Sequence, residues 1–410
     1  MSSKRILNSV SLFTGIGGLD FGCEAAGFNT RVALDNDIDA YQFLKNNRNW
    51  PIINEDIHQV SSEQILSLAN LDVGEVDLLT AGPPCQPFSK SGYWHKGVTL
   101  RLSDVRSNTI GKFLEVLKDT KPLAFLFENV PAFIYSNKDE ALNWILDGIK
   151  KINSEEKTNY NPKYKVLNAV GYGVPQTRER LFIIASREGV PFKFPDYTHQ
   201  LPSGNGNVEG KLPYLNAWDA FSDLNEEDNN DELKIGGKWA DLIPSIPEGK
   251  NYLWHTNRGG GEPFFGWRTR YWNFLLKLSK QKASWTIQSQ PGSSTGPFHW
   301  KNRRLSIKEM SRIQTFPENL HFDMSLNKAQ ILIGNAVPSL LAEVLAREIR
   351  SQFFNDFDIT QPLQNLRKKS SSYPEPESTK KVPKKYFYLN GKHEDHPGQG
   401  KGPGTLLFTK

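Results

Sequence analysis

The sequence predicts an α/β protein: a doubly wound sheet formed by the first part of the chain, a smaller domain of different character, then a short return to the first. Three observations carry this. Strand-like apolar runs alternate with helix-like patterns from Lys4 to about Ala185, as strand–helix–strand units do. A glycine turn, Thr14-Gly15-Ile16-Gly17-Gly18, joins the first such run to the first helical pattern. From Pro191 the alternation stops, and Gly, Pro and Asn become frequent. The expected units are residues 1–190, 191–302 and 303–354, followed by a tail, 355–410.

Composition permits this organisation and removes several classes. With 410 residues, 38% of them hydrophobic, the chain can fill more than one core. No apolar run approaches membrane-span length, and Met1-Ser2-Ser3-Lys4-Arg5 leads straight into a strand-like segment, so neither an anchor nor a signal peptide is expected. Cys23 and Cys85 are too few for a disulfide framework, which fits a reducing, cytoplasmic setting. The net charge is +5, and the tail from Asn355 holds 10 basic and 6 acidic residues, so +4 of it lies there. The body is near neutral, and a polyanion site within it must be a local patch.

Ser9 to Phe13 reads as the first strand. The glycine turn lets a ligand approach the backbone and the N-terminus of a helix from Leu19 to Gly27. It is not GxGxxG, so it is not the dinucleotide fingerprint. Cys23 reads as core packing on that helix. Arg31 to Leu34 is a second strand ending in Asp35-Asn36-Asp37. A carboxylate at that tip suits ribose hydroxyls, or equally a helix cap. Asp56 precedes Ile57 after a third short strand, as a loop acid or a solvated turn residue.

Val76 to Leu79 is a buried strand, and Gly82-Pro83-Pro84-Cys85-Gln86-Pro87-Phe88-Ser89 leaves its carboxyl end. Open α/β sheets do their chemistry there. The prolines fix φ and deny a helix, so Cys85 sits in a stiff loop. Alone, it reads as a small hydrophobe in a tight turn; with a lowered pKa it is a nucleophile. Ser89 to Asn108 is long and polar, contains Gly92 and Gly97, and reads as mobile. Leu123 to Phe127 is the next strand and delivers Glu128-Asn129-Val130-Pro131. Apolar neighbours can raise the pKa of that carboxyl, although a paired structural acid is the plainer reading. Lys165 to Ala169 and Leu181 to Ala185 form a strand pair. Between them Gln176-Thr177-Arg178-Glu179-Arg180 sets Arg178 and Arg180 on one side of a strand.

Beyond Pro191, residues 219–232 hold seven acids and no Lys or Arg, as a solvated surface segment or linker does. Residues 250–304 invert this with ten Lys/Arg, one acid (Glu262) and eleven aromatics. Arg258-Gly259-Gly260-Gly261, Trp267-Arg268-Thr269-Arg270-Tyr271-Trp272 and Trp300-Lys301-Asn302-Arg303-Arg304 carry most of it. Basic residues interleaved with aromatics and glycines suit phosphates and bases; the bland alternative is a small β-rich domain with an aromatic core. Leu305 to Thr315 reads as a helix with a capping box, Ser306 and Glu309. Gly334-Asn335-Ala336-Val337-Pro338 opens an amphipathic helix to about Arg350, and the Lys-, Ser- and Pro-rich tail reads as largely disordered. No His/Cys spacing suggests zinc.

Together these blocks resemble the bacterial DNA (cytosine-5) methyltransferases of restriction–modification systems, over nearly everything from Leu7 to Arg350. Leu12-Phe13-Thr14-Gly15-Ile16-Gly17-Gly18 resembles the cofactor loop, and Pro83-Pro84-Cys85-Gln86 the nucleophile motif. Glu128-Asn129-Val130, Gln176 to Arg180, Arg304-Leu305-Ser306 through Gln314-Thr315-Phe316-Pro317, and Gly334 to Pro338 follow in the family's order. Asp35 stands where the family more often has Glu, the loop after Cys85 is longer than the common pattern, and the tail has no counterpart.

The resemblance implies an S-adenosylmethionine-dependent catalytic domain, a smaller β-rich target-recognition domain, and a final helix that packs beside the first strand. Cys85 would add to carbon 6 of cytosine, Glu128 would protonate N3, and Arg178 and Arg180 would bind O2 and orient Glu128 or Cys85. Phe13, Gly15, Gly17, Gly18, Asp35, Asn36, Asp56, Ile57, Pro84, Asn335 and Ala336 would hold the cofactor, which leaves as S-adenosylhomocysteine. The donor is a sulfonium, so no metal is expected. Ser89, Arg106, Arg258, Arg268, Arg270, Thr286, Arg303 and Arg304 would contact double-stranded DNA, with the base flipped out and the segment 89–108 as lid. A cognate restriction endonuclease is the implied partner in function, and a monomer suffices. A transfer-RNA cytosine-5 methyltransferase of the same fold is the nearest rival. A non-catalytic DNA-binding regulator needs no nucleophile, and a nicotinamide oxidoreductase would need the missing fingerprint.

Overall fold

The computed structural model of the protein describes residues 6–84, 108–134, 140–202, 209–224, 230–268, 271–355 and 361–392. β1 (Leu7–Leu12), α1 (Gly18–Ala25), β2 (Phe28–Leu34), α2 (Ile38–Asn47), β3 (Ile52–Ile53) and α3 (Ser62–Ala69) open the chain. β4 (Leu78–Ala81), α4 (Asn108–Thr120), β5 (Ala124–Asn129), α5 (Glu140–Glu156), β6 (Lys163–Asn168), β7 (Gln176–Thr177) and β8 (Glu179–Ser186) follow. Then come α6 (Ala217–Phe221), β9 (Ser284–Trp285), α7 (Ile307–Ile313), α8 (Leu326–Asn335) and α9 (Ser339–Ile349).

Seven strands form one sheet in the order β3-β2-β1-β4-β5-β8-β6. β3 through β5 are parallel, while β8 runs antiparallel to both β5 and β6. The predicted doubly wound sheet and the predicted strand pair are both present. Chain order reverses between β1 and β4, and the crevice at their carboxyl ends is where such sheets take ligands. Strand alternation divides the core in two. Phe125 and Phe127 of β5 pack with Phe113, Ile145 and Ile149 on one face. Ala124 and Leu126 pack on the other with Cys23, Leu340, Leu341 and Leu345.

The returning helix is held by close approach. A Cβ on Gly18 would lie 2.3 Å from the Val337 carbonyl oxygen, and one on Gly22 would lie 2.4 Å from Ala342 Cβ. Any side chain there would push α9 off α1. The predicted capping box of α7 is made in full: the Ser306 hydroxyl accepts from the Glu309 amide at 3.2 Å, and Glu309 accepts from the Ser306 amide at 2.8 Å. One helical stretch, Leu326–Phe354, is long and apolar enough by length and composition to pass for a membrane span, but most of its most apolar window is buried inside the protein, as in a core helix.

The middle unit departs from the β-rich expectation. Among the described residues of 191–302 there is one two-residue strand, β9, with isolated bridges, and 3-10 turns such as Ala240–Ser245 and Tyr252–His255. Frequent Gly and Pro interrupt any ladder. Side chains make the core instead: Leu242, Ile243, Tyr252, Phe264, Leu275 and Phe298 cluster together.

The tail also differs. Residues 361–392 follow a defined path rather than a disordered one, mostly exposed but anchored at particular side chains. Tyr386 and Leu389 are buried in the core of the middle unit, with the Tyr386 ring stacked 5.7 Å from Trp239. Lys369 Nζ meets Asp219 Oδ2 at 3.1 Å. Asp219, read from sequence as part of a solvated acidic run, is buried in the capping box of α6. Low apolar content concealed the strap because two buried side chains and a few ion pairs suffice to hold it.

Candidate active site

The site grows from the carboxyl end of β5. Glu128 and Asn129 pair with Phe182 and Leu181 of β8, which places Arg180 just beyond the ladder and beside Glu128. Arg180 Nε lies 2.9 Å from Glu128 Oε1, with the side chains only 14% and 10% exposed. Burial pushes the Glu128 pKa up, and the charges of Arg180 and Arg178 offset this only in part. The carboxyl also faces the loop that leaves β4: a Cβ on Gly82 would sit 3.5 Å from Glu128 Oε2. Asn129 Nδ2 reaches the Pro83 carbonyl at 3.4 Å, so both residues after the apolar run touch the Gly82-Pro83 backbone. Pro84 is exposed at the end of this segment. Cys85, Ser89, Arg106 and Arg270, with the expected lid, lie outside the described residues.

Arg178 lies deeper than Arg180. Its side chain is fully buried and donates from Nη2 to the Gly334 carbonyl at 2.7 Å. The strand is interrupted at this residue. β7 leaves the main sheet to pair with β9, and β8 starts only at Glu179. Arg178 thus braces the end of α8, Arg180 makes the ion pair with the carboxyl, and the charge of Arg178 also acts on it.

Two amides that received no role from sequence complete the brace. Gln176 Nε2 donates to Gln314 Oε1 at 2.9 Å. Gln314 Nε2 donates to Ile333 O at 2.6 Å and Ala336 O at 3.2 Å. Gln176 Oε1 accepts from the Ile287 amide at 3.0 Å. The signal was there: both glutamines lie within the quoted blocks, and buried amides need partners.

On the other side of the crevice, Phe13 has a left-handed φ of 57° and Gly15 one of 54°. A Cβ on Gly15 would meet nothing within 4 Å, so the turn is open. The Gly15 amide donates to Asp35 Oδ2 at 2.7 Å, and the Asp37 amide to Oδ1 at 2.9 Å. Burial raises the Asp35 pKa, with these two amides the main offset. Asp37, not Asp35, caps α2. An open glycine backbone beside a strand-tip carboxylate suits a nucleoside with vicinal hydroxyls.

Asn36 is exposed, Gly17 is the left-handed N-cap of α1, and Gly18 is spent on packing against Val337. Asp56 is exposed and accepts from the His58 amide at 3.0 Å, and its pKa is lowered, chiefly by that bond. The Ile57 side chain is core. Asn335 is exposed and Ala336 half-buried at the end of α8.

The expected DNA-reading residues divide. Arg258 is exposed, its guanidinium 4.3 Å from the Trp267 ring centre. Arg268 is half-buried, and its amide donates to the Tyr252 hydroxyl at 2.9 Å. Arg304 Nη2 donates to Asn327 Oδ1 at 2.7 Å, half-buried. Arg303 is buried and bonds both Glu309 oxygens at 2.8 and 2.7 Å, so it stabilises α7 and cannot read a groove. The Thr286 hydroxyl is committed to the Thr177 carbonyl at 2.8 Å, bracing the β7–β9 pair.

Comparison with known proteins agrees with this layout. Residues 7–351 match the family model for C-5 cytosine-specific DNA methylases. The chain is 35% identical over 368 residues to the type II methyltransferase M.SacI of Streptomyces achromogenes, covering 84% of this chain and 92% of that one. It is 30% identical over 371 residues to M.NgoFVII of Neisseria gonorrhoeae, covering 87% and 92%. Among solved structures, a Spodoptera frugiperda DNMT2 variant superposes with a TM-score of 0.56 at 18% identity, over 84% of this chain and 99% of that one. The Entamoeba histolytica methyltransferase EhMeth gives 0.56 at 18%, over 86% and 99%. These two likenesses concern the fold alone. With a family model matched from the first strand to the end of the returning helix, and relatives aligned along most of their length, the chain belongs to the C-5 cytosine-specific DNA methylases and is a DNA cytosine-5 methyltransferase.

Proposed function

We propose that the protein methylates carbon 5 of a flipped-out cytosine within a specific double-stranded DNA sequence, through a covalent adduct on Cys85. The observation that carries this is the buried Glu128–Arg180 pair at the mouth of the Gly82-Pro83-Pro84 loop. Carbon 5 of cytosine is a poor nucleophile. A thiolate that adds to carbon 6 turns the ring into an enamine, and a proton delivered to N3 stabilises the charge that develops. Glu128, whose pKa burial pushes above the ordinary carboxyl range, supplies that proton. Arg180 orients it and donates to the cytosine O2. Arg178 holds the end of α8 in place. Loss of the carbon 5 proton and expulsion of the Cys85 thiolate restore the ring once carbon 5 carries its methyl group.

S-adenosylmethionine, when bound, supplies an electrophilic methyl on a sulfonium. Phe13 would pack on it, the open Gly15 turn would admit its backbone-facing edge, and Asp35 would hold the ribose hydroxyls. Asp56 and the Ile57 backbone would face the adenine, with Pro84 and the Asn335–Ala336 backbone closing the pocket. The target atom is unreachable inside a duplex, which is why the base must leave the stack. The type II names of the relatives support protection of host DNA from a cognate endonuclease as the biological role.

Bisulfite sequencing of DNA from a host expressing the protein tests the reading. It is expected to show cytosine-5 methylation in one sequence context. A duplex carrying 5-fluorocytosine at that site should trap a covalent complex whose peptide map places the adduct on Cys85 and not Cys23. Absence of methylation, or an adduct elsewhere, sinks the proposal.

A further inference from the structure

The strap formed by residues 361–392 lines an open cleft on the middle unit, about 430 Å³ in volume. Its walls include Trp254, Gly260, Gly261 and Glu262 on one side and Lys380 and Lys381 on the other. We propose that Lys380 and Lys381 are fixed phosphate-contacting residues, so that the strap and the Arg258–Gly261 loop together form one DNA-binding surface. The proposal rests on the reading of this protein as an enzyme acting on duplex DNA.

Both lysines are exposed, yet their backbone is held. The Lys380 amide donates to the Pro244 carbonyl at 2.9 Å. Upstream, Glu377 Oε1 meets the buried Lys280 ammonium at 2.9 Å, and its amide donates to Glu248 Oε1 at 2.8 Å. Downstream, Lys385 pairs with Asp241, the Tyr386 hydroxyl donates to Lys238 O at 2.7 Å, and Tyr386 and Leu389 are buried. Two cations anchored on both sides differ from lysines on a free tail, because ordering them on contact costs little beyond their own rotamers.

The opposite wall suits a polyanion's close approach. Gly260 and Gly261 line the cleft with backbone, packed so close on Trp254 that a Cβ on either would lie 2.6 Å from its ring, and Arg258 of the same loop is exposed with its guanidinium over Trp267. His255, behind the cleft, is buried with its pKa lowered, chiefly by burial, and carries no charge there at neutral pH. Glu262 is the one carboxylate lining the cleft among the described residues. A run of phosphates, spaced by sugars, can be met by Arg258 and the lysine pair at once; a lone anion would need only one of them.

The test compares the parent, Lys380→Ala/Lys381→Ala, Lys380→Arg/Lys381→Arg, and the equally charge-reduced control Lys150→Ala/Lys151→Ala on α5. Affinity is measured for a duplex carrying the methylated site and for a random duplex of equal length, between about 50 and 200 mM salt. The double alanine variant should lower the salt slope by about 1 to 2 in log–log terms, weaken both duplexes by a similar factor, and leave the methylated sequence unchanged. The arginine pair should keep the parental slope. A slope loss no larger than the control's, an altered consensus, or loss in the arginine pair as well overturns the inference. Parent protein that methylates no duplex would instead sink the reading on which it rests.

Discussion

Replacing Glu128 with Gln isolates the proton from the shape. The amide keeps the side-chain volume, and its carbonyl can still accept from Arg180 Nε, now 2.9 Å from Oε1. The ion pair becomes a hydrogen bond from the guanidinium to a neutral amide, which still falls in the range of about 1.5–3 kcal/mol for bonds to charged groups. The substitution also removes the cost of burying a carboxylate, so stability should change little. Catalysis should change greatly. A positioned general acid contributes about 10²–10⁴ in rate, or roughly 2.7–5.4 kcal/mol of barrier. The pH profile adds a second readout. The Glu128 pKa is raised by burial, so the competent protonated form persists above the ordinary carboxyl range and is lost as pH rises further. Single-turnover methylation by the parent should therefore fall on an alkaline limb that Glu128→Gln lacks. DNA affinity should stay near the parental value. A rate within about threefold of the parent, or an alkaline limb preserved in the variant, would falsify the role given to Glu128.

Three further outcomes are expected. Asp35→Ala should weaken S-adenosylmethionine binding by about 1.5–3 kcal/mol by calorimetry, since it removes a charged acceptor; unchanged affinity would leave Asp35 only as the clamp on the Gly15 and Asp37 amides. Truncation after residue 360 strips Tyr386 and Leu389 from a core, at about 1.5–3 kcal/mol for each fully buried side chain; melting temperature and sequence-specific DNA binding should both fall, and a truncated enzyme with parental melting and consensus would contradict the packing. Asp20, buried in the first turn of α1, has its pKa pushed to about 7 by burial, which the Ser11 hydroxyl and backbone offset only in part. A folded value above the unfolded one gives stability that is complete below about pH 4 and lost as pH rises through 7. Asp20→Asn should thus gain on the parent between pH 5 and 8, by up to roughly 4 kcal/mol; denaturation curves showing a constant difference across that range would rule this out.

Much of the sheet and part of the site were legible in the sequence. β4, β5 and β8 are buried on both faces, so each is a near-unbroken apolar run that few other structures would use. Glu128 could be singled out because it directly follows such a run, and the α7 cap because its signal spans only four residues. Local geometry alone fixes these features.

What the sequence left open depended on distant partners. Arg178 and Arg180 share a strand in any local reading; in the fold β7 leaves to pair with Ser284 and Trp285, and Arg178 bonds the Gly334 carbonyl of α8. Asp35 read equally as a ribose contact or a helix cap until the Gly15 amide claimed it and Asp37 took the cap. Arg303 looked like a basic residue for DNA until Glu309 took both its Nη groups. The tail looked disordered because its own apolar content cannot pay for ordering. Its anchors lie elsewhere in the chain: Lys280 for Glu377, Asp219 for Lys369, and the aromatic core around Trp239 for Tyr386. A sequence window registers short-range periodicity and caps, whereas the partner of a buried charge, about 100 residues away at Lys280–Glu377, exists only once the chain has folded.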